Sequence, residues 1–245
     1  LGTEARRYLE RRGVAPETCR RFELGYAPAG HSFQTAMRAE GLSPSLGMRS
    51  GLLLQQTGGV SEWFRDRLIF PIRDERGRLR GFGGRALGEV NPKYLNSAES
   101  PWFNKRRLLY GLHLAQPSLR NDRPAILVEG YMDVVSSHQA GVETAVASLG
   151  TALTIQQIRL LGRYGTHVVL SYDQDAAGER ATLRAIPLLI AEGLPASVVT
   201  FAGAKDPDEL VHSAGPAALR NAVDGAQSAD VQVTPGPLGD ILEDV

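Results

Sequence analysis

Three acidic motifs punctuate the second half of the chain: Val128-Glu129-Gly130, Tyr172-Asp173-Gln174-Asp175 and Asp206-Pro207-Asp208. Each follows a short apolar run. Carboxylates gathered on one rim repel each other and are costly to leave bare. Hard divalent cations such as Mg²⁺ relieve that repulsion and prefer oxygen ligands. The chemistry this supports is metal-assisted phosphoryl transfer. Asp173 and Asp175 stand two apart, so in extended backbone both side chains face the same way. Gly178, just beyond, is expected to let the chain turn tightly into a helix. One such motif carries little, because an isolated Asp-x-Asp at a strand end also serves as a helix cap or solvated turn. Three acidic strand ends in one sheet carry more.

The elements that must position these residues are legible. Ala125-Ile126-Leu127-Val128 is a continuous apolar run, as in a buried parallel strand. A helix is expected from Asp133 to about Gln139, and a second strand from Thr144 to Ala147. Thr154, with Gln157 three residues on, reads as a capping box for a helix carrying Ile155, Ile158, Leu160 and Leu161. Val168-Val169-Leu170 is a third strand. A helix from about Ala177 to Ala191 follows, with Pro187 expected to kink or break it. Ala196 to Phe201 is a fourth strand. Alternating strands and helices predict a parallel sheet with right-handed crossovers, whose ligands gather at the carboxyl ends of the strands. The C-terminal residues begin helically at Pro216 and end in Pro235-Gly236-Pro237.

The first 62 residues read as short amphipathic helices joined by turns. Residues 67–73 read as a strand, Asp74-Glu75-Arg76-Gly77 as a hairpin turn, and Leu79 to Gly83 as the returning strand. Residues 91–107 read as a polar, aromatic and basic loop region.

The chain's net charge is zero, but it is a cancellation. Trp63 to Arg107 holds 11 Lys and Arg against 5 Asp and Glu, a net of +6; Asn121 to Val245 holds 7 against 16, a net of −9. A basic surface beside an acidic one suits an enzyme that grips a polyanion and also holds divalent cations, although either can be an ordinary solvated face. In the basic stretch, Lys93-Tyr94-Leu95-Asn96-Ser97 and Trp102-Phe103-Asn104-Lys105-Arg106-Arg107 interleave cations, aromatics and amides. Cations neutralise phosphates and aromatics stack on bases. Arg76 and Arg78 read as a solvated turn.

Other chemistries lack their parts. There is no Gly-Lys-Ser/Thr phosphate loop and no Gly-x-Ser-x-Gly elbow. Gly81-Phe82-Gly83-Gly84 sits in a hairpin rather than ahead of a helix. The five histidines lack zinc-ligand spacing, and the single cysteine, Cys19, excludes an internal disulfide. No apolar run reaches the ~18 residues of a membrane span. The N-terminus lacks a signal-peptide core, and a cytoplasmic protein is expected.

Val128 to Val135, Ala147 to Thr151 and Tyr172 to Gly178 together resemble the TOPRIM module of primases, topoisomerases and some nucleases. Phe70-Pro71-Ile72-Arg73-Asp74, Gly81 to Arg85, Pro92 to Ser97, Leu109 to Leu112 and Asp206 to Leu210 extend this to the catalytic core of bacterial DnaG-type DNA primase. The resemblance runs from about Tyr8 to His212. It implies RNA primer synthesis on single-stranded DNA from ribonucleoside triphosphates, with Mg²⁺ or Mn²⁺. It implies that Glu129 is a metal ligand and candidate general acid/base, that Asp173, Asp175 and Asp206 are metal ligands, and that Asp133 and Asp208 support them. By the same resemblance Arg65, Arg67, Arg85, Lys93, Tyr94, Asn96 and Lys105 form a basic ridge for template and nucleotide.

The expected architecture is α/β: an N-terminal basic α+β subdomain over 1–120, a TOPRIM module over 121–212, and the start of a truncated C-terminal helical subdomain over 213–245. The family also carries an N-terminal zinc-binding module and a C-terminal domain that contacts the replicative helicase. Neither is expected within this chain. A TOPRIM nuclease or topoisomerase, or a non-catalytic single-strand binder, are the alternatives.

Overall fold

The structure is a computed structural model, and it describes residues 1–121, 123–201 and 203–228. The N-terminal half contains helices α1 (Thr3–Arg11), α2 (Pro16–Arg21), α3 (Ser32–Ala39) and α4 (Pro44–Arg49), with strand β1 (Gly25–Ala27) between α2 and α3. Strands β2 (Leu53–Gln56) and β3 (Gly59–Glu62) form a hairpin, and β4 (Arg67–Arg73), β5 (Leu79–Ala86) and β6 (Tyr94–Asn96) follow. The second half runs α5 (Leu112–Leu119), β7 (Ala125–Val128), α6 (Tyr131–Gln139), β8 (Ala145–Ala147), α7 (Ile155–Leu161) and β9 (Val168–Leu170). It continues through α8 (Ala176–Ala191), β10 (Ala196–Val198), α9 (Pro207–Ala214), α10 (Pro216–Asp224) and β11 (Gln227–Ser228). Among the described residues no helix is long and apolar enough to cross a membrane.

The second half is the expected parallel sheet, in the order β11-β10-β9-β7-β8. Strands β7, β8 and β9 are buried at every position, which explains their unbroken apolar runs. Leu127 pairs with Leu170 in parallel register, so β7 and β9 end side by side. Only β11 is antiparallel, and it closes the edge beyond β10. The described part of 213–228 therefore packs on this module: β11 joins its sheet and α10 lies against α9 and α6. The Pro235-Gly236-Pro237 stretch lies outside the described residues.

Several boundaries differ from expectation for local physical reasons. Helix α6 starts at Tyr131, because the Asp133 carboxylate reaches back to the Gly130 N–H (2.9 Å) and caps the turn. Helix α8 runs unbroken through Pro187. The carbonyl that Pro187 leaves without a helical partner belongs to Leu183, which is 59% exposed, so water can satisfy it. Strand β10 stops at Val198 and the chain then bends toward the acidic motifs. Helix α9 follows from Pro207 at the first helical position behind an Asp206 cap, a signal present in the sequence.

The N-terminal half is less helical than it reads. A four-stranded antiparallel sheet, β1-β4-β5-β6, forms its centre. Strand β1 is three residues long, too short to show a period. The β2–β3 pair encloses a two-residue Thr57-Gly58 turn, and neither flank alternates apolar with polar residues, so no period of two marks it in the sequence. Pro71 is tolerated within β4 because β1 pairs only as far as Ile69. The 91–107 region is not all loop: β6 pairs with β5, and Lys105–Arg107 is a 3₁₀ turn. At the β4–β5 turn, Asp74 is buried and accepts from the Arg76 and Arg78 N–H groups and from the Arg78 and Arg80 guanidiniums. Burial works to raise its pKa, but these donors hold it below the usual value.

Gly178 plays another part than a tight turn. It sits inside the first turn of α8, where an added Cβ would lie 2.0 Å from the Asp173 carbonyl oxygen. On helix propensity alone Gly178→Ala would stabilise α8 by about 1 kcal/mol. The clash with rigid backbone reverses the sign. We expect Gly178→Ala to destabilise by about 3 kcal/mol, read as a lower urea midpoint at unchanged slope.

Candidate active site: an acidic rim facing a basic, aromatic sheet

The pairing of β7 with β9 brings Glu129 and Asp173 together. The Glu129 Oε1 accepts from the Asp173 backbone N–H at 3.2 Å. Both carboxylates are half-buried. Burial raises the Glu129 pKa, the Asp173 N–H works against this, and the charges of Asp175 and Asp206 push it further up. Asp173 is pushed up to about 6, by burial first and then by Glu129, Asp206 and Asp175.

Asp175 and Asp206 begin helices. The Asp175 Oδ1 accepts from the Ala177 and Gly178 N–H groups at 2.8 and 2.9 Å, which lowers its pKa. The Asp206 Oδ1 accepts from the Glu209 N–H at 2.7 Å, and its Oδ2 lies 3.8 Å from the Lys205 ammonium. Each cap uses one oxygen and leaves the other for further partners. The cap and metal-ligand readings of these aspartates are thus compatible. Asp173 and Asp175, two residues apart, occupy different surroundings: one faces Glu129 and the other is exposed at a helix start. Among the described residues, no three His, Cys, Asp or Glu side chains already form a coordination shell. The donor chemistry nevertheless fits a hard cation. The rim offers only oxygens, and Asp173 and Glu129 hold protons more tightly than free carboxylates because they are partly buried and negative charges lie near them.

Asp133 and Asp208 lie deeper. Asp133 is buried, and burial followed by its acidic neighbours raises its pKa well above the usual value. Asp208 commits both oxygens to protein: Oδ2 to the Arg12 guanidinium at 2.5 Å and Oδ1 to the Ser136 hydroxyl. Arg12 was not among the sequence candidates. It lies 196 residues from its partner, and nothing local marks the pairing.

The basic side meets the rim through β6. The Asn96 Oδ1 accepts from the Tyr131 hydroxyl at 2.5 Å, and its Nδ2 donates to the Leu149 carbonyl at 2.8 Å. The Trp63 indole N–H donates to the Asn96 carbonyl at 2.7 Å. Gly83 makes room for this junction, since a Cβ there would lie 2.4 Å from the Tyr131 ring. A cleft of ≈ 470 Å³ opens between the halves, with Tyr94, Asn96 and Lys105 on one wall and Glu129, Tyr131 and Gly150 on the other.

The expected ridge residues divide by environment. Arg65 and Lys93 are exposed and Lys105 is half-buried. The Arg85 guanidinium stacks 4.0 Å from the Tyr8 ring centroid and 5.8 Å from that of Tyr94. Arg67 turns inward: it is 4% exposed, and its Nη1 donates to the Gly84 and Lys93 carbonyls at 3.3 Å. Burial lowers its pKa. It braces the backbone at Lys93, just ahead of β6.

Two family models match: the N-terminal domain of the DNA primase catalytic core over residues 1–116 and a Toprim-like domain over 126–211. The chain is 43% identical to the DNA primase of Clostridium acetobutylicum over 227 residues and 44% identical to that of Deinococcus radiodurans over 222. These alignments cover 92% and 89% of this chain but 38% and 39% of the relatives, so the chain spans well under half of their length. Among solved structures, the Escherichia coli primase catalytic core matches at 41% identity and TM-score 0.81, covering 92% of this chain and 74% of that one. The zinc-binding and RNA polymerase domains of the Aquifex aeolicus primase match at 36% identity and TM-score 0.88, covering 94% of this chain and 58% of that one. With family models matching residues 1–116 and 126–211 and this level of identity across nearly its whole length, the chain belongs to the DnaG-type bacterial DNA primase family and corresponds to its catalytic core.

Proposed function

We propose that this chain synthesises short RNA primers on single-stranded DNA by metal-assisted nucleotidyl transfer. The observation that carries the reading is the cleft in which Glu129 faces Lys105, Tyr94 and Asn96. It sets a cation-demanding rim against groups suited to a phosphate backbone and bases. The reading also rests on relatives named DNA primase, and on the similarity to a DnaG catalytic domain bound to ssDNA, at 40% identity and TM-score 0.81.

Glu129, Asp173, Asp175 and Asp206 would hold Mg²⁺ or Mn²⁺. When bound, the cations lower the pKa of the attacking 3′-hydroxyl and offset charge on the leaving pyrophosphate. The chain's own residues position and screen. Asp133 and Asp208 hold the rim from behind. Lys93, Lys105 and Arg65 neutralise phosphates, Arg85 and Tyr94 form one stacked surface, and Asn96 fixes the distance between ridge and rim. In the full-length protein the replicative helicase is the proposed partner and the cytoplasm the proposed location.

Asp173→Ala is expected to abolish primer synthesis on a single-stranded template while the far-UV circular dichroism stays that of wild type. A folded Asp173→Ala, Asp175→Ala double variant that still made primers would sink the metal-site assignment. Lys93→Ala is expected to weaken template binding about tenfold at low salt and to reduce the slope of log affinity against log salt by about one. An unchanged salt series would make Lys93 structural. The raised Asp173 pKa has a definite sign. The native state holds this proton more tightly than the unfolded chain, so stability from this group is present at low pH and is lost as pH rises toward about 6. In chelator at pH 7, Asp173→Asn should therefore raise stability by about 1 kcal/mol, a figure discounted for the group's half-exposure, and the gain should vanish near pH 4.

A further inference from the structure

The β4–β5 pair has two faces. Phe70 and Gly83 point to one, where they meet the Tyr131 ring behind the acidic rim. Ile69 and Phe82 point to the other, by the alternation of side chains along a strand. On that second face lies a cavity of ≈ 310 Å³, at the lower end of the range for small-molecule sites. Tyr26, Phe33, Phe64 and Phe82 supply aromatic walls, and Phe64 meets Phe82 edge-on with centroids 6.4 Å apart. Glu62 is the only charged residue lining it among the described residues, and it is 4% exposed.

Glu62 has one structural duty. Its Oε1 accepts from the N–H of Gln34, the third residue of α3, at 2.8 Å. It thereby replaces the cap that His31 does not provide, and the helix start offsets part of its charge. The other oxygen is not spent. Among the described residues nothing donates to Oε2, and the atom is open to the cavity. A carboxylate held out of water without a countercharge is costly, and aromatic faces attract cations. An anion would worsen the cost, and a bare metal ion would leave the rings without a partner. We propose that this cavity binds an alkylammonium ion. The ammonium bonds to Glu62 Oε2 and lies against the aromatic faces, while its aliphatic stem packs on Ile69 and Leu52. A free aliphatic amine and a lysine side chain of a polypeptide offer the same group. The site is separate from the metal rim and its cleft. Trp63, the next residue after Glu62, turns its indole the other way, to the Asn96 carbonyl beside the cleft.

The test is a titration of the ¹⁵N-labelled full chain at constant ionic strength, followed by backbone amide resonances. The probes are n-butylammonium, Nα-acetyl-lysine methylamide and the neutral n-butanol. Butylammonium is expected to shift the Gln34, Phe64 and Phe82 amides with saturation. Butanol should bind about tenfold more weakly, as for a lost charge-assisted hydrogen bond. Glu62→Gln keeps a carbonyl oxygen for the Gln34 N–H and removes the charge. It should weaken butylammonium about tenfold while the Gln34 amide keeps its protection from hydrogen exchange. Ser32 is exposed at the cavity mouth, so Ser32→Trp should fold and weaken binding by filling the entrance. Tighter binding of the lysine derivative than of butylammonium supports the site and assigns it to a polypeptide side chain. The reverse order supports it and assigns a free amine. Shifts confined to rim amides such as Gly130 and Ala177, equal affinity for butanol, or unchanged affinity in both variants overturn the proposal.

Discussion

Carboxylates crowd one rim of the parallel sheet, and their mutual repulsion is the constraint around which the molecule is arranged. The register of β7 and β9 places Glu129 against the Asp173 backbone, and β10 delivers Asp206 to the same edge. The fold offsets part of this charge without a cation. Helices α6, α8 and α9 all begin at the rim and turn their positive ends toward it. Asp175 and Asp206 exploit those ends as caps, and Lys205 adds one charge. Arg12 neutralises Asp208 from the N-terminal half. What remains is the raised affinity of Glu129 and Asp173 for protons, set by burial first and by neighbouring carboxylates second.

The rim is useful only if the basic sheet faces it at fixed distance, and packing secures this. One hydrophobic cluster runs from Ala5, Tyr8 and Leu9 through Phe70 and Tyr110 to Val134 and Leu219. The segments 1–120 and 121–212 thus share a core. Tyr131 is the hinge pin of the arrangement. It stacks on Phe70 with centroids 4.9 Å apart, meets Tyr110 edge-on at 4.7 Å, and bonds to Asn96. The glycines of β5 are small because aromatic rings occupy the space their side chains would fill: Phe103 at Gly81, Tyr131 at Gly83 and Phe64 at Gly84.

Not every cation in the basic stretch faces solvent. Asp74 consumes Arg78 and Arg80, Glu23 consumes Arg73, and Arg67 is buried under two carbonyls. The net charge of the segment is real, but less of it is free to meet a polyanion than counting suggests. Arg65, Arg76, Lys93, Lys105, Arg106 and Arg107 make no ion pair among the described residues and carry that part, with Arg85 held in a stack between Tyr8 and Tyr94. A count along the chain cannot separate these groups, since the partners of Arg73 and Arg12 lie 50 and 196 residues away.

The sequence by itself determined the parallel sheet, the Thr154 capping box, the β4–β5 hairpin and the acidic strand ends. Each is encoded within a few residues, in apolar runs, capping pairs and turn types whose energetics are local. Its motifs also carried the family. Only the tertiary structure decided which carboxylates touch, which cations are spent and why Gly178 must be glycine. Those answers depend on strand register and on contacts between residues far apart in the chain, where burial and neighbouring charge rather than residue type set the chemistry. The four short strands missed in the N-terminal half have the same cause: β1 and β6 are each held by one longer neighbour, and β2 and β3 are held by each other.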